Sequence, residues 1–529
     1  MLNFKRIELS DKKLIESYFS KSNVQLCDYS FSNLFLWSSL YGIEWAEAKG
    51  FLIIRYYYEN SYNRFYLQPI GKSSIKNILD LLLNESKKEK APLRFAALSE
   101  SFLKEIKKHP QFPALFSLNN RDYSNYVYSA TALSTLSGKA LHSKKNHINK
   151  FQRLYSDFSS RPLDANDAHL ALALFDNWEK HKEHSIEFDI ERKSLKHIFS
   201  NYQALKLKGL LLLVDNEPIA FTLGSELNKD TFCIHIEKAN IAYHGSFAMI
   251  NYLMANTLVK KYKFINREED LGIENLRKAK LSYKPELLAP HYQAIELNSV
   301  EAAVWDLWKT CFGDSDEFIF SYLSFYSTSK TRVLIFEKKD LVAMFHLHFF
   351  KSSWSNKVAY LYGLGTAPIH RGKGFASQVI QKSLEKAKQQ GALVAWVIQA
   401  NKDFNRWQTQ FDFSPFGDKT LSFQSPNQFD FGGDTVNDWG LCRILNPKEY
   451  LEIYYRQHPL TQVCFYYQDP LFEELNGYYK IDPSGVHFKA QACLKKHILK
   501  SQDLLRLFPL KNGTDLEFIL PKSKNKSKV

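Results

Sequence analysis

Arg371-Gly-Lys-Gly-Phe-Ala376 is the stretch of this sequence whose residue types and spacing most plainly allow chemistry. Gly372 and Gly374 let a ligand approach the backbone closely, and apolar residues at Val379, Ile380, Leu384 and Ala387 predict a helix from about Phe375 to Gln390. A loop that opens a helix presents unpaired N–H groups and the positive end of a dipole, so a pyrophosphate fits there. The same residues would also serve as an ordinary strand-to-helix turn. Ahead of the loop, Val358–Leu364 reads as a buried strand and Pro368 as a turn. His346 and His348 lie two apart on the preceding strand and share a face. They suit either a base for an incoming ammonium or a packed pair of histidines. Asp314, Asp316 and Glu317 either attract a cationic amine or form a solvated helix start.

Arg371-x-x-Gly374-x-Ala376, with Gly-Leu-Gly-Thr-Ala-Pro368 before it and the helix after it, resembles the Q/R-x-x-G-x-G/A signature of the GNAT acyltransferase superfamily. The resemblance implies that Arg371, Gly372, Lys373, Gly374, Phe375 and Ala376 hold the pyrophosphate of acetyl-CoA or another acyl-CoA. It also implies that the strand end at Tyr362-Gly-Leu364 and Gly365 meets the pantetheine arm. Glycines at 363 and 365 suit a bulge or a splayed strand end, which would leave an N–H to polarise the thioester carbonyl. The family often carries N-x-x-A-x-x-x-Y-x-x-x-G-F, whose tyrosine protonates the departing thiolate. Asn401 takes the place of the asparagine, but aligning Phe413 with the final Phe puts Gln408 at the tyrosine, and glutamine cannot act as an acid. Tyr360 and Tyr362 are then either substitutes for it or core aromatics.

These residues need a scaffold, and 529 residues are too many for one core, so three or four lobes are expected. The composition, 45% apolar and 24% charged, is that of a globular chain. The start, Met1 to Ser10, lacks the apolar core of a signal peptide, and the longest apolar runs fall far short of the roughly 20 residues of a membrane-spanning helix. Six scattered cysteines without a CxxC pair argue against disulfide scaffolds and zinc, and a cytoplasmic location is expected. The formal charge of +14 suits nucleic acid, anionic lipid or nucleotide phosphates without choosing among them. The basic tail Lys522 to Lys528 reads as a solubilising end.

Strand-like Phe51–Tyr58 and Arg64–Gln68 precede an amphipathic helix at Ile75–Lys87. A basic helix is expected at Lys139–Leu154, and Asp215-Asn-Glu-Pro218 joins two strands as a hairpin. Asp28-Tyr-Ser-Phe-Ser-Asn-Leu-Phe35, Leu136 to Phe151 and Asn266 to Tyr283 together resemble the DUF2156 family, which is similar to the C-terminal catalytic region of phosphatidylglycerol lysyltransferases. That family is built from paired GNAT-like lobes, and its better-known members move an aminoacyl group from tRNA to a lipid. If the chemistry carries over, Lys144, Lys145, Lys150 and Arg153 would meet RNA phosphates, and Asp270, Arg277 and Lys280 would either line a substrate site or form an ion network. Leu441 to Tyr450, Asp469 to Tyr479 and Gln502 to Pro509 resemble the sterol-carrier-like C-terminal domain of Eis-type acetyltransferases.

The expected architecture is a multi-domain α+β chain: GNAT-like lobes at 1–125 and 126–296, a GNAT domain at 297–425 and a sterol-carrier-like domain at 438–521. The expected function is acetyl-CoA-dependent N-acetyl transfer to a small-molecule or peptide amine. The alternatives are aminoacyl transfer from tRNA by the DUF2156-like half and a non-catalytic acyl-CoA-binding protein.

Overall fold

The computed structural model describes residues 2–57, 63–110, 115–179, 186–352, 358–398, 410–411, 413–416 and 440–445, with short strands at 463–467, 477–482, 485–489, 498–499 and 516–518. The chain divides into two compact units. One comprises Met1–Glu59 and Arg64–Leu297, the other Asn60–Asn63 and Asn298–Val529. Asn401, Gln408, the basic tail and all but the short strands of the expected sterol-carrier-like domain lie outside the described residues.

The first unit holds two sheets. In one, the strands run Lys5–Arg6, Glu44–Ala48, Phe51–Tyr57, Arg64–Tyr66, Arg94–Leu98, Tyr292–Glu296, Leu115–Asn119. Phe51-Leu-Ile-Ile-Arg-Tyr-Tyr57 is rich in branched and aromatic side chains and is buried on both faces, as a central strand demands. Helix Ile75–Glu89 covers this sheet with Ile78, Leu79, Leu82 and Leu83.

The second sheet runs Leu287–Ala289, Asn125–Ser129, Phe264–Asn266, Thr231–Ala239, Glu217–Asn228, Lys208–Val214, Ser159–Pro162. Its central hairpin turns through Asp215 and Asn216, both with positive φ (50° and 66°), which are the backbone values a two-residue hairpin turn requires. Helix Ser246–Leu258 packs on it with Met249, Ile250, Met254 and Leu258 buried. The sheets are not consecutive stretches of chain: Tyr292–Glu296, the last strand of the unit, returns to lie between Arg94–Leu98 and Leu115–Asn119.

In the second unit the strands run Arg332–Glu337, Asp340–Ser352, Val358–Thr366, Val394–Ile398, Gly440–Ile444, Ser414–Phe416. Val358–Thr366 is antiparallel to Asp340–Ser352 and parallel to Val394–Ile398, and the parallel crossover is made by helix Phe375–Gln389. That helix buries Val379, Ile380, Leu384 and Ala387, the face read from spacing. Helices Ser299–Phe312 and Asp316–Phe325 precede the sheet, capped by the side chains of Asn298 and Ser315. A bidentate ion pair with both bonds at 2.7 Å joins buried Glu301 to Arg332 on the first strand. The chain is thus α+β and multi-domain, as expected. Among the described residues no helix is long and apolar enough to cross a membrane.

Candidate functional sites

In the second unit, strand Val358–Thr366 changes character along its length. Its first half, Val358–Leu361, pairs with Val394–Val397, but among the described residues no strand continues that pairing beyond Leu361. On its other side the register with Asp340–Ser352 slips, so that Gly363 and Leu364 together oppose Phe345 alone. This is a β-bulge, and Gly363 adopts φ +66° within it. A Cβ at Gly363 would also stand 3.1 Å from the Trp308 ring, so both backbone and packing favour glycine there.

The loop after the strand has the two left-handed glycines that its sequence suits, Gly372 at φ +79° and Gly374 at φ +84°. Gly374 is the N-cap of helix Phe375–Gln389 and has no side chain to cap it. Among the described residues no acceptor meets the N–H groups of Gly372 to Ser377, and open space surrounds both glycine Cα positions. Arg371 and Lys373 are exposed, Phe375 and Ala376 half-buried. Arg371 Nε donates to the Thr366 carbonyl at 3.2 Å, tying the loop back to the strand end.

Below the bulge lies a polar-aromatic cluster. Trp308 packs against Tyr322, His346 and Tyr362 with ring centroids 4.5, 5.2 and 5.9 Å apart, and its Nε1 donates to Asp314 at 2.7 Å. Tyr322 is hydrogen-bonded to His348 Nε2 at 2.7 Å. Tyr360 and Tyr362 lie on one face with centroids 5.9 Å apart. His346 and His348 are fully buried, and burial holds His348 down at about 3. Burial, then the nearby Arg332 and His348, likewise depresses His346, whose two ring nitrogens have no hydrogen-bond partner. Both imidazoles are therefore neutral at pH 7. Burial and the Asp314 charge push Tyr362 up to about 12, so its hydroxyl keeps its proton at neutral pH. Thus His346, Tyr360, Tyr362, Leu364 and Gly365 share neighbouring strands, with Arg371 to Ala376 immediately beyond them, while Asn401 lies outside the described residues. Cys311, which nothing in the sequence singles out, sends its thiol to the Thr366 carbonyl at 3.6 Å.

The first unit carries a second polar cluster, around the segment after strand Phe264–Asn266. Asp270 is fully buried and accepts from Arg277 (3.0 and 2.8 Å), Arg121 (3.2 Å), Tyr126 (2.5 Å) and the Gly272 N–H (3.0 Å). Burial alone would raise its carboxyl; Arg277, Tyr126 and Gly272 outweigh burial and hold it at about 2. Asp270 and Arg277 are therefore an ion network. Lys280 donates to the backbone carbonyls of Arg267 and Glu269, and its ammonium lies 5.7 Å over the ring of Tyr126, a donor to Asp270.

Nearby, Ser30 at the start of helix Phe31–Tyr41, Ser225 and His235 on adjacent strands, and Glu268 just after strand Phe264–Asn266 form a chain of contacts. Ser225 Oγ lies 3.1 Å from Ser30 Oγ and 2.8 Å from His235 Nε2, and His235 Nδ1 lies 2.8 Å from Glu268. Beside them, burial and the charge of Glu268 raise Glu269 to about 7, with Lys280 opposing. Sequence reading misses this cluster. Only the Cys233-x-His235 alternation on a strand hints at it, since Glu268 is distant along the chain.

A family model described as phosphatidylglycerol lysyltransferase, C-terminal, matches residues 20–295, just over half the chain, and one for the acetyltransferase (GNAT) family matches residues 300–408. A crystal structure of a Bacteroides thetaiotaomicron protein of unknown function is 35% identical, with 56% of this chain and 100% of that one covered at a TM-score of 0.54. The C-terminal (DUF2156) domain of a putative lysylphosphatidylglycerol synthetase from Agrobacterium fabrum is 13% identical, with 56% of this chain and 94% of that one covered at a TM-score of 0.40. An uncharacterised protein of Mycoplasmoides gallisepticum is 29% identical over 177 residues, 32% of this chain, and the chain spans 55% of that protein's length. The chain accordingly belongs to the phosphatidylglycerol lysyltransferase C-terminal family, and a GNAT acyltransferase domain follows that region.

Proposed function

We propose that the second unit transfers an acetyl or other acyl group from acyl-CoA to an amine. One observation carries this reading: a strand that bulges at Gly363–Leu364, and that among the described residues pairs with its parallel neighbour only as far as Leu361, runs directly into a glycine loop whose N–H groups, Gly372 to Ser377, have no acceptor among the described residues. The first N–H groups of a helix have no intrahelical partner, and six in sequence along an open glycine loop fit an anionic group. The residues present therefore fit acyl-CoA, which when bound supplies an activated thioester.

Gly372 to Ala376 would hold the phosphates by backbone N–H, with Arg371 and Lys373 adding positive charge. The unpaired side of Tyr362–Thr366, including Leu364 and Gly365, would hold the extended arm. Tyr362, protonated at neutral pH, would return a proton to the departing thiolate. His346 and Tyr360 shape the wall beside it, His346 as a neutral imidazole. The acceptor must present a neutral amine, because an ammonium has no lone pair for attack.

Thiol release from acetyl-CoA, followed across a panel of small-molecule and peptide amines, tests the reading. Turnover with at least one amine is expected, and Tyr362→Phe should lower kcat about 100-fold with acetyl-CoA affinity unchanged. Acetyl-CoA binding without release to any amine would point to a binding module instead. Failure to bind any acyl-CoA would sink the proposal.

The family match favours a second reading, aminoacyl transfer from charged tRNA by the first unit, and one surface suits it. On helix His142–Leu154, Lys145, Lys150 and Arg153 are exposed, while Lys144 is half-buried 4.4 Å over the Tyr283 ring. Each phosphate contact contributes to the salt dependence of binding, so Lys150→Ala should flatten the slope of log K against log salt by about 1. No tRNA binding at low salt, or no labelling of lipid or peptide from charged tRNA, would remove this reading.

A further inference from the structure

We propose that Cys233, His235 and Glu268 bind a divalent transition metal ion, zinc by their donor set, in the first unit. Cys233 and His235 project from one face of strand Thr231–Ala239, being two residues apart. Glu268 arrives from the parallel neighbour Phe264–Asn266, whose Asn266 is in register with Cys233. One ligand atom from each of the three lies within 4.8 Å of the other two. Six scattered cysteines gave no sign of such a site in the sequence, because its third ligand comes from another strand.

The spacing is what decides for a metal. A tetrahedral zinc ion with bonds of about 2.0–2.3 Å holds neighbouring N, O and S ligands roughly 3.3–3.6 Å apart. Cys233 Sγ and Glu268 Oε1 are already 3.6 Å apart. His235 Nδ1 and the same oxygen, at 2.8 Å, need to open by only about half an ångström.

The surroundings are arranged in the same sense. His235 Nε2 is engaged by Ser225 at 2.8 Å, which orients the ring and leaves Nδ1 as the ligand nitrogen. Glu268 sits at φ +55°, in the left-handed region that non-glycine residues seldom adopt. It is held there by Asn266, whose Oδ1 accepts the Glu268 N–H at 2.6 Å. A thiolate with an imidazole and one carboxylate selects zinc over magnesium or calcium.

Ser225, His235 and Glu268 also have the order of a nucleophilic serine relay, but Ser225 is only 4% exposed. The Glu268 side chain, by contrast, is 20% exposed and leaves a fourth coordination position toward a water or ligand. On binding, Cys233 releases its thiol proton to solvent, and the imidazole carries its remaining proton on Nε2, donating to Ser225.

The test uses the full chain, with bound zinc measured after dialysis and cobalt(II) as an optical probe. About one zinc per chain is expected, with a near-ultraviolet thiolate-to-cobalt band that Cys233→Ser removes. Glu268→Gln keeps the side-chain shape and should lower affinity at least 10-fold, so the proposal stays testable should Cys233→Ser unfold. Absence of uptake, or uptake that both variants leave unchanged, would overturn it. So would labelling of wild-type Ser225 by a fluorophosphonate, since that requires an open serine relay in place of a metal.

Discussion

Acetyl-CoA at a hundred times its Kd should stabilise the second unit by about 2.7 kcal/mol, and Gly374→Trp should abolish that gain. Gly374 has φ +84° and nothing within 4 Å of where a Cβ would stand. A Cβ at this exposed position meets nothing, so the backbone cost of the substitution is that of a left-handed residue, about 1–2 kcal/mol. The indole would, however, cover the N–H groups at the start of helix Phe375–Gln389. Gly391, just past the other end of the same helix, supplies a matched control. It has φ +78° and is equally unobstructed, so Gly391→Trp carries the same backbone cost. Thermal unfolding with and without acetyl-CoA should show the ligand shift retained in Gly391→Trp and lost in Gly374→Trp. A shift lost in both would mean general damage to the helix, and a shift retained in both would remove the loop from cofactor binding.

Asp270→Asn is expected to destabilise the first unit by about 2 kcal/mol at pH 7, because it removes the buried carboxylate that Arg277 and Arg121 share, while Arg277 keeps its pair with Asp122. The effect should depend on pH in a defined direction. The Asp270 carboxyl ionises at about 2 in the folded chain against 3.8 for the free side chain. A depressed acid contributes stability that is present above 3.8 and is lost as pH falls through about 2. The shift corresponds to about 2 kcal/mol. Urea unfolding of wild type and variant should therefore diverge most at pH 5 to 7 and draw together by about 2 kcal/mol near pH 2. A gap that is constant with pH would show that the loss is one of shape and not of charge.

That ion network and the glycine loop differ in how far they can be read from sequence. The loop is local: two glycines, a helix with apolar residues at 379, 380, 384 and 387 and a strand before it all lie within some 30 residues, and each is dictated by its own φ values and period. The hairpin at Asp215-Asn216 is legible for the same reason, since its left-handed turn is chemistry of adjacent residues. The bulge at Gly363 is half legible. Glycines allow it, but the slip in register is set by the Asp340–Ser352 partner and by the Trp308 ring beneath.

Patterns of apolar spacing and turn residues in the amino-acid sequence thus determined the helices Ile75–Glu89, His142–Leu154 and Phe375–Gln389, the strands Phe51–Tyr57, Arg64–Tyr66 and Val358–Thr366, the hairpin at Asp215-Asn216, the α+β class and a glycine loop at a helix start. The tertiary structure alone decided which strands are neighbours. It inserted Tyr292–Glu296 between Arg94–Leu98 and Leu115–Asn119, and it brought Glu268 to Cys233 and His235. It also gave Lys280 backbone carbonyls as partners and Arg277 the Asp270 carboxylate, although the three residues Asp270, Arg277 and Lys280 fall in one short segment. The physical reason is common to these cases. Local propensity depends on a few successive residues, whereas strand pairing and the convergence of polar side chains depend on burying two distant faces at once, and no periodicity in either face names its partner.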